Sequence, residues 1–207
     1  MKILLIGASG MIGSRVQAEA VSRGHFVLGV ARHPEKIATG DHVWAARGDA
    51  TDGDALAALA AGADVIVGSV SPRNGGDPMV EATSYAKAVI AAAKASGKRL
   101  FIVGGAGSLT LPDGTPLASV LPPDMLEPRA MIEARKLIEA AGIDWTYFCP
   151  ALMIEPGERT THYRLGTTEL INDAEGNSKI SAEDYAHALV DELETPRHRN
   201  SLMSIGY

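Results

Sequence analysis

The chain has almost no cysteine: one thiol, Cys149, in 207 residues. A single thiol excludes an internal disulfide and fits a protein of the reducing cytoplasm. Basic clusters are absent too. With 19 Lys and Arg against 25 Asp and Glu, the formal charge is −6, which excludes the basic face that a nucleic acid needs. The six histidines have no ligand spacing and no acidic or cysteine cluster beside them, so no metal site is expected. No apolar run is long enough to span a bilayer, and the N-terminal residues read as a core strand rather than a secretion signal. A nucleophilic serine elbow is missing as well, because Gly107-Ser108-Leu109 lacks the trailing glycine. The expectation is a soluble cytoplasmic protein with no partner in nucleic acid or membrane. Its 46% hydrophobic residues suffice for one core over residues 1–207.

What is present is glycine in a particular order. The apolar run Met1-Lys2-Ile3-Leu4-Leu5-Ile6 passes directly into Gly7-Ala8-Ser9-Gly10-Met11-Ile12-Gly13. A buried strand, a tight turn and a helix follow from that pattern. Gly7 allows the turn, Gly10 lets the backbone approach a pyrophosphate, and Gly13 lets helix pack close to strand. Free N–H groups and the positive end of the helix dipole then face the phosphates, with Ser9, Met11 and Ile12 beside them.

One grammar then repeats: helical pattern, glycine, apolar run. It occurs at Gly24 before Phe26-Val27-Leu28, Gly62 before Val65-Ile66-Val67, Gly97 before Leu100-Phe101-Ile102-Val103, and Gly142 before Trp145-Thr146-Tyr147-Phe148. Glycine past a helix end takes the left-handed conformation without penalty. The runs are too continuous for one-faced strands, so both faces should be buried. Alternating helices and buried strands give right-handed crossovers and a parallel sheet between two helical layers. Val43-Trp44-Ala45-Ala46 adds a strand, and Leu202-Met203-Ser204-Ile205 a late one. Two stretches, 109–127 and 149–180, break the grammar. Both leave carboxyl ends of strands, where open parallel sheets build their ligand crevice, and they are expected to wall it.

The second strand ends Gly29-Val30-Ala31-Arg32 without the carboxylate that would take ribose hydroxyls. Arg32 stands where a guanidinium would hold a 2′-phosphate, which favours NADP(H) while leaving NAD(H) open. In Gly48-Asp49-Ala50-Thr51-Asp52, Asp49 with Ala50 is the better candidate for the adenine end. Asp52 serves equally well as the cap of the next helix.

With these residues in view, the chain resembles the atypical short-chain dehydrogenases. More narrowly, it resembles the small NAD(P)H-binding proteins labelled NADH-flavin reductases. The resemblance runs end to end through Gly7–Gly13, Val103-Gly104-Gly105-Ala106-Gly107-Ser108-Leu109, Asp144-Trp145-Thr146 with Pro150-Ala151, Pro156-Gly157-Glu158-Arg159-Thr160, Tyr163-Arg164-Leu165-Gly166 and Ile180-Ser181-Ala182-Glu183-Asp184-Tyr185-Ala186. It implies a Rossmann-type, doubly wound α/β fold in three αβα layers. A more distant similarity, to biliverdin reductase B, is carried by Ser71-Pro72-Arg73-Asn74. It places Val70 and Arg73 near the cofactor, Gly104 and Gly105 beside its ribose, and Pro150, Ala151 and Leu152 beside the nicotinamide.

One departure bears on chemistry. The tyrosine–lysine pair of typical short-chain dehydrogenases falls on Glu127 and Met131, and the expected serine falls on Ala106, leaving Ser108 displaced. Carbonyl reduction loses its acid. Hydride transfer to a flavin or quinone needs orientation and takes its proton from water. Ser108 and Tyr163 are the remaining catalytic candidates, with His162 beside Tyr163. Glu158 and Arg159 read either as a substrate-attracting cluster or as an ion pair fixing a loop. Ser181 with Asp184 reads as a helix start, and Cys149 as an inert core thiol. The expected function is an NADPH-dependent reductase of a flavin or quinone, acting as monomer or homodimer. The alternative is a non-catalytic, NADP(H)-sensing regulator of the NmrA-like kind.

Overall fold

The computed structural model describes residues 1–207. The chain runs β1 (Lys2–Ile6), α1 (Met11–Ser22), β2 (Phe26–Ala31), β3 (Val43–Arg47), α2 (Gly53–Ala60), β4 (Val65–Gly68), α3 (Pro78–Ser96) and β5 (Arg99–Val103). It continues through α4 (Leu117–Val120), α5 (Leu126–Glu139), β6 (Trp145–Cys149), β7 (Met153–Glu155), β8 (Arg164–Gly166), β9 (Lys179–Ser181), α6 (Ala182–Glu194) and β10 (Ser201–Gly206).

Eight strands form one sheet in the order β3-β2-β1-β4-β5-β6-β10-β8. All neighbours are parallel except β8, which runs antiparallel to β10; β7 and β9 pair separately. Successive side chains of a strand point to opposite faces, and here both faces are packed. Leu4 and Ile6 of β1 join the core under α2, α3 and α5, while Ile3 and Leu5 join the core under α1 and α6. β5 divides the same way, Leu100 and Ile102 against Phe101 and Val103. This is the three-layer, doubly wound α/β architecture that the apolar runs imply. The winding reverses between β1 and β4, so their carboxyl ends diverge and open a crevice.

Glycine closes three of the four expected helix ends in the left-handed region, with φ of 80° at Gly24, 68° at Gly97 and 66° at Gly142. Gly62 departs from that expectation. α2 finishes in a right-handed turn at Ala61, whose φ is −57°, and the Ala63 N–H donates to the Ala60 carbonyl at 3.0 Å.

The two irregular stretches hold more order than their composition implies. The first contains α4, and the second contains β7, β8 and the start of β9. Backbone bonds also stitch them together: Thr110 N–H donates to Thr168 O and Leu170 N–H to Thr110 O, both at 2.8 Å.

Charges lock the α1–α6 layer. Arg23 donates to Asp191 at 2.6 Å and to Glu194 at 2.9 Å, and it pairs with the buried Glu19 at 2.7 Å. Arg159 closes on the same carboxylate through Nε at 2.7 Å and Nη2 at 2.8 Å. The Arg159 bonds, with help from Arg23, outweigh burial and hold the Glu19 carboxyl at about 2 against an ordinary 4.5. A folded pKa below the unfolded one stabilises fully above pH 4.5, and that stabilisation is lost as pH falls toward 2. Glu19→Gln should therefore cost about 2 kcal/mol at neutral pH, a figure discounted because Arg159 stands half in solvent. Thermal melts should show its deficit shrinking through that acid window; a deficit independent of pH would contradict the assignment.

Candidate functional site

The crevice is built on a meeting of backbones. Gly7 leaves β1 with φ of +86°, its N–H donating to Val30 O at 2.9 Å, while Ser69 N–H donates to Ile6 O at 2.8 Å. A Cβ on Gly7 would overlap the Ser69 carbonyl, and one on Gly13 would overlap the Gly7 carbonyl. Only glycine fits either place, and β1, β4 and α1 approach to backbone contact as a result. Gly10 differs. Its φ is −76°, and a Cβ there would meet only the Gly7 carbonyl, at 3.3 Å. Its backbone angles do not require glycine, and the single tight contact is far looser than the overlaps at Gly7 and Gly13. The residue is exposed, it precedes the first turn of α1, no side chain caps that turn, and it faces the crevice.

The crevice has two chambers that share Gly10, Ser69, Val70, Ser71, Arg73 and Met131. The smaller, about 390 Å³, runs from Gly7, Ser9 and Gly10 past the ends of β2 and β3. Arg32, Asp49, Ala50 and Thr51 line one side, and the segment from Ser69 to Asn74 lines the other. Arg32 Nη2 donates across it to Asn74 Oδ1 at 2.7 Å. Asp49 accepts from the Thr51 N–H at 2.8 Å and the Thr51 hydroxyl at 2.7 Å, bonds that hold its carboxyl below the usual range. Asp52 accepts from Ala55 N–H at 3.0 Å and caps α2, and Asp49 rather than Asp52 lines the chamber.

The larger chamber, about 750 Å³, lies over the ends of β4, β5 and β6. Met11, Ile12, Gly104, Gly105, Pro150, Ala151 and Leu152 line it, together with apolar side chains from 117–131. Glu127 and Met131, one turn apart on α5, both face it. Arg73 Nε donates to Glu127 Oε2 across its mouth at 2.8 Å, and that carboxylate raises the Arg73 pKa.

The structure thus gathers every cofactor candidate except Gly13 onto the two walls, and Gly13 sits buried behind them as a packing glycine. The catalytic candidates stand elsewhere. Ser108 does not line either chamber; its hydroxyl is buried beneath a 3₁₀ turn (Ala106–Ser108) without a partner. Tyr163 lies on the α6 side, bonded to His187 Nδ1 at 2.7 Å and Asp191 at 3.3 Å, with burial and Asp191 raising its pKa. His162 is turned onto the Thr160 carbonyl at 2.6 Å. Glu158 and Arg159 are not paired with each other. Neighbours in an extended segment project to opposite sides, and Arg159 reaches Glu19 instead. Ser181 caps α6 by accepting from Asp184 N–H at 3.0 Å, as its sequence suggests. Cys149 is fully buried, and that burial raises its pKa.

The apolar wall (Leu117, Leu121, Met125, Leu126, Met153 and Ile154) comes from the two stretches expected to form it, but sequence reasoning singled out none of these side chains, because short irregular segments carry no periodicity to mark which residues face the crevice. Sequence reasoning also missed Tyr85, a buried and unpartnered hydroxyl at the floor of the smaller chamber, packed so closely over Gly68 that a Cβ there would overlap it.

The family model for NAD(P)H-binding proteins matches residues 7–196. The chain belongs to this NAD(P)H-binding family. Among its relatives is the uncharacterised Bacillus subtilis protein YwnB, 33% identical over 99% of this chain and 98% of YwnB. A Bacteroides thetaiotaomicron structure, provisionally named an epimerase, is 39% identical with a TM-score of 0.90, covering 100% of this chain and 96% of that one. A Streptococcus pneumoniae structure, provisionally named an NADH-flavin reductase, is 27% identical with a TM-score of 0.82, covering 100% and 99%. No helix is long and apolar enough to cross a membrane, and no group of three or more His, Cys, Asp or Glu is placed to hold a metal.

Two glycines of one motif should therefore fail differently. Gly7→Ala should cost at least about 3 kcal/mol by adding left-handed strain to a backbone overlap. Gly10→Asp should change stability by less than about 1 kcal/mol yet abolish NADPH binding. Thermal melts with NADPH titration check both, and a Gly10→Asp protein that still binds would sink the assignment.

Proposed function

We propose that the chain is an NADPH-dependent reductase that passes hydride to a flavin or quinone held in the larger chamber. The observation that carries this is the make-up of that chamber. It adjoins the cofactor cleft directly, its walls are largely apolar, and its only titratable side chains, Arg73 and Glu127, neutralise each other. Within a family of oxidoreductase-like NAD(P)H binders, such a chamber orients a flat ring and excludes water without offering an acid.

The α1 N-terminus at Gly10, Met11 and Ile12 would hold the pyrophosphate, and Arg32 the 2′-phosphate, freed from Asn74 or bridging to it. Asp49 would face the adenine end, and Gly104, Gly105 and Pro150–Leu152 would hold the ribose and nicotinamide. Bound there, NADPH supplies two electrons and a proton as hydride and leaves as NADP⁺. The acceptor gains that hydride and one proton from water. Proximity of donor and acceptor supplies the rate enhancement. The Streptococcus relative's name agrees with this reading. Epimerisation, the name given to the Bacteroides relative, needs one group to take a proton and another to return it; an ion-paired Glu127 supplies neither well.

Arg32→Ala should weaken NADPH by about 1.5–3 kcal/mol, the worth of hydrogen bonds to a charged group, while NADH is little affected. Equal losses for both cofactors would remove the 2′-phosphate role. Function itself is tested by anaerobic NADPH consumption against riboflavin, FMN and several quinones, with Gly10→Asp as control. Saturable turnover that vanishes in the variant is expected. Tight NADPH binding without turnover of any acceptor would point instead to a nucleotide sensor.

A further inference from the structure

The larger chamber also carries information about the charge of what enters it. Among its lining residues only Arg73 and Glu127 are charged, and their ion pair at 2.8 Å spends the one cation on the one anion. The next guanidinium, on Arg129, is folded behind the wall, where it donates to the carbonyls of Pro122, Pro123 and Met125 at 3.1, 3.3 and 2.8 Å. The positive end of α1, at Gly10, Met11 and Ile12, borders the chamber where it meets the smaller one, and the proposed pyrophosphate uses it. Leu126, Leu152 and Met153 line the chamber and remain about half exposed, so any tail leaving the ring crosses apolar side chains. The molecule as a whole carries a formal charge of −6, which repels anions at long range.

We infer that the acceptor is an uncharged planar ring, of the riboflavin or quinone kind, and that the Arg73–Glu127 pair is the element that selects against a phosphorylated one. This rests on the chamber being the acceptor site, as proposed above. A phosphate or carboxylate brought into it meets one guanidinium, whose charge Glu127 already offsets through Nε, and loses its hydration against an apolar rim. Glu127 is the specificity determinant because it is what neutralises Arg73. Without it the guanidinium, which stays charged at every accessible pH, becomes available to a phosphate at the mouth.

Riboflavin and FMN share one ring and differ by the phosphate, and binding can be read without turnover. The experiment titrates each against NADP⁺-saturated protein by quenching of flavin fluorescence, in the native chain and in Glu127→Gln. Riboflavin is expected to bind about tenfold more tightly than FMN to the native chain. Glu127→Gln should narrow or reverse that ratio by a similar factor, and 0.5 M salt, a concentration of order that screens exposed charges, should undo the gain. A variant that unfolds is recognised by losing riboflavin as well; Glu127→Ala and Arg73→Gln then replace it, the first expected to favour FMN and the second to disfavour it further. FMN binding the native chain as well as riboflavin, or a ratio unmoved by any of these changes, would overturn the inference while leaving the reductase proposal standing. Failure of both flavins to bind would overturn the inference along with the acceptor chamber it rests on. Binding with the expected preference but no NADPH oxidation would uphold the inference and remove the reductase proposal alone.

Discussion

Everything in the crevice depends on three backbones packed closer than side chains allow. Gly7 turns in the left-handed region with the Ser69 carbonyl where its Cβ would be, and the Gly7 carbonyl occupies the same place for Gly13. β1 and β4 are the strands between which the sheet reverses its winding, so this contact sits at the switch point. It brings the first turn of α1 against the ends of both strands and aims its uncapped N–H groups into the gap. Bonds from Gly7 to Val30 and from Gly10 to Gly7 fix the turn. The geometry of this turn is thus a consequence of packing, and the anion site proposed for it needs no rearrangement to form.

The rest of the molecule positions walls around that turn. The β4–α3 segment brings Ser71, Arg73 and Asn74 across from Arg32, and Glu81 in the first turn of α3 steadies it by accepting from the Asn74 and Gly76 N–H groups at 3.0 and 2.9 Å. The two long stretches close the acceptor side. Their backbone bonds between Thr110 and residues 168–170 tie the α4 segment to the chain that follows β6. On the far layer, α1 and α6 are tied by Arg23, Glu19 and Arg159, and Asp184 draws in Thr160, Thr161 and Tyr207. That layer holds most of the conspicuous polar residues of the C-terminal third, which serve architecture there. The chamber proposed for chemistry is the plainer one.

This division explains what could be read from the sequence. The fold was legible because continuous apolar runs admit only strands buried on both faces, and the observed division of β1 and β5 between two cores follows directly. Residues lining the crevice were legible because backbone approach leaves a local trace in glycine spacing, and because Arg32 and Asp49 lie at fixed offsets beyond it. Gly62 was misjudged since a helix can end right-handed when the next residues bond back. Arg159, Tyr163 and Ser108 were misjudged for a different reason. Arg159 and Tyr163 are held by Glu19 and His187, which are distant in sequence, and the burial of the Ser108 hydroxyl arises only on folding. The stretches that form the apolar wall were legible from their broken pattern, but which of their leucines and methionines face the chamber is fixed only when the two stretches are stitched together.

The most direct test of the account is a crystal structure of the chain with NADP⁺. It should show the pyrophosphate against the N–H groups of Met11 and Ile12, the 2′-phosphate on Arg32, and the nicotinamide between Gly104–Gly105 and Pro150–Leu152, opening onto the Arg73–Glu127 chamber. A nicotinamide turned away from that chamber, or phosphates bound elsewhere than the α1 N-terminus, would contradict it.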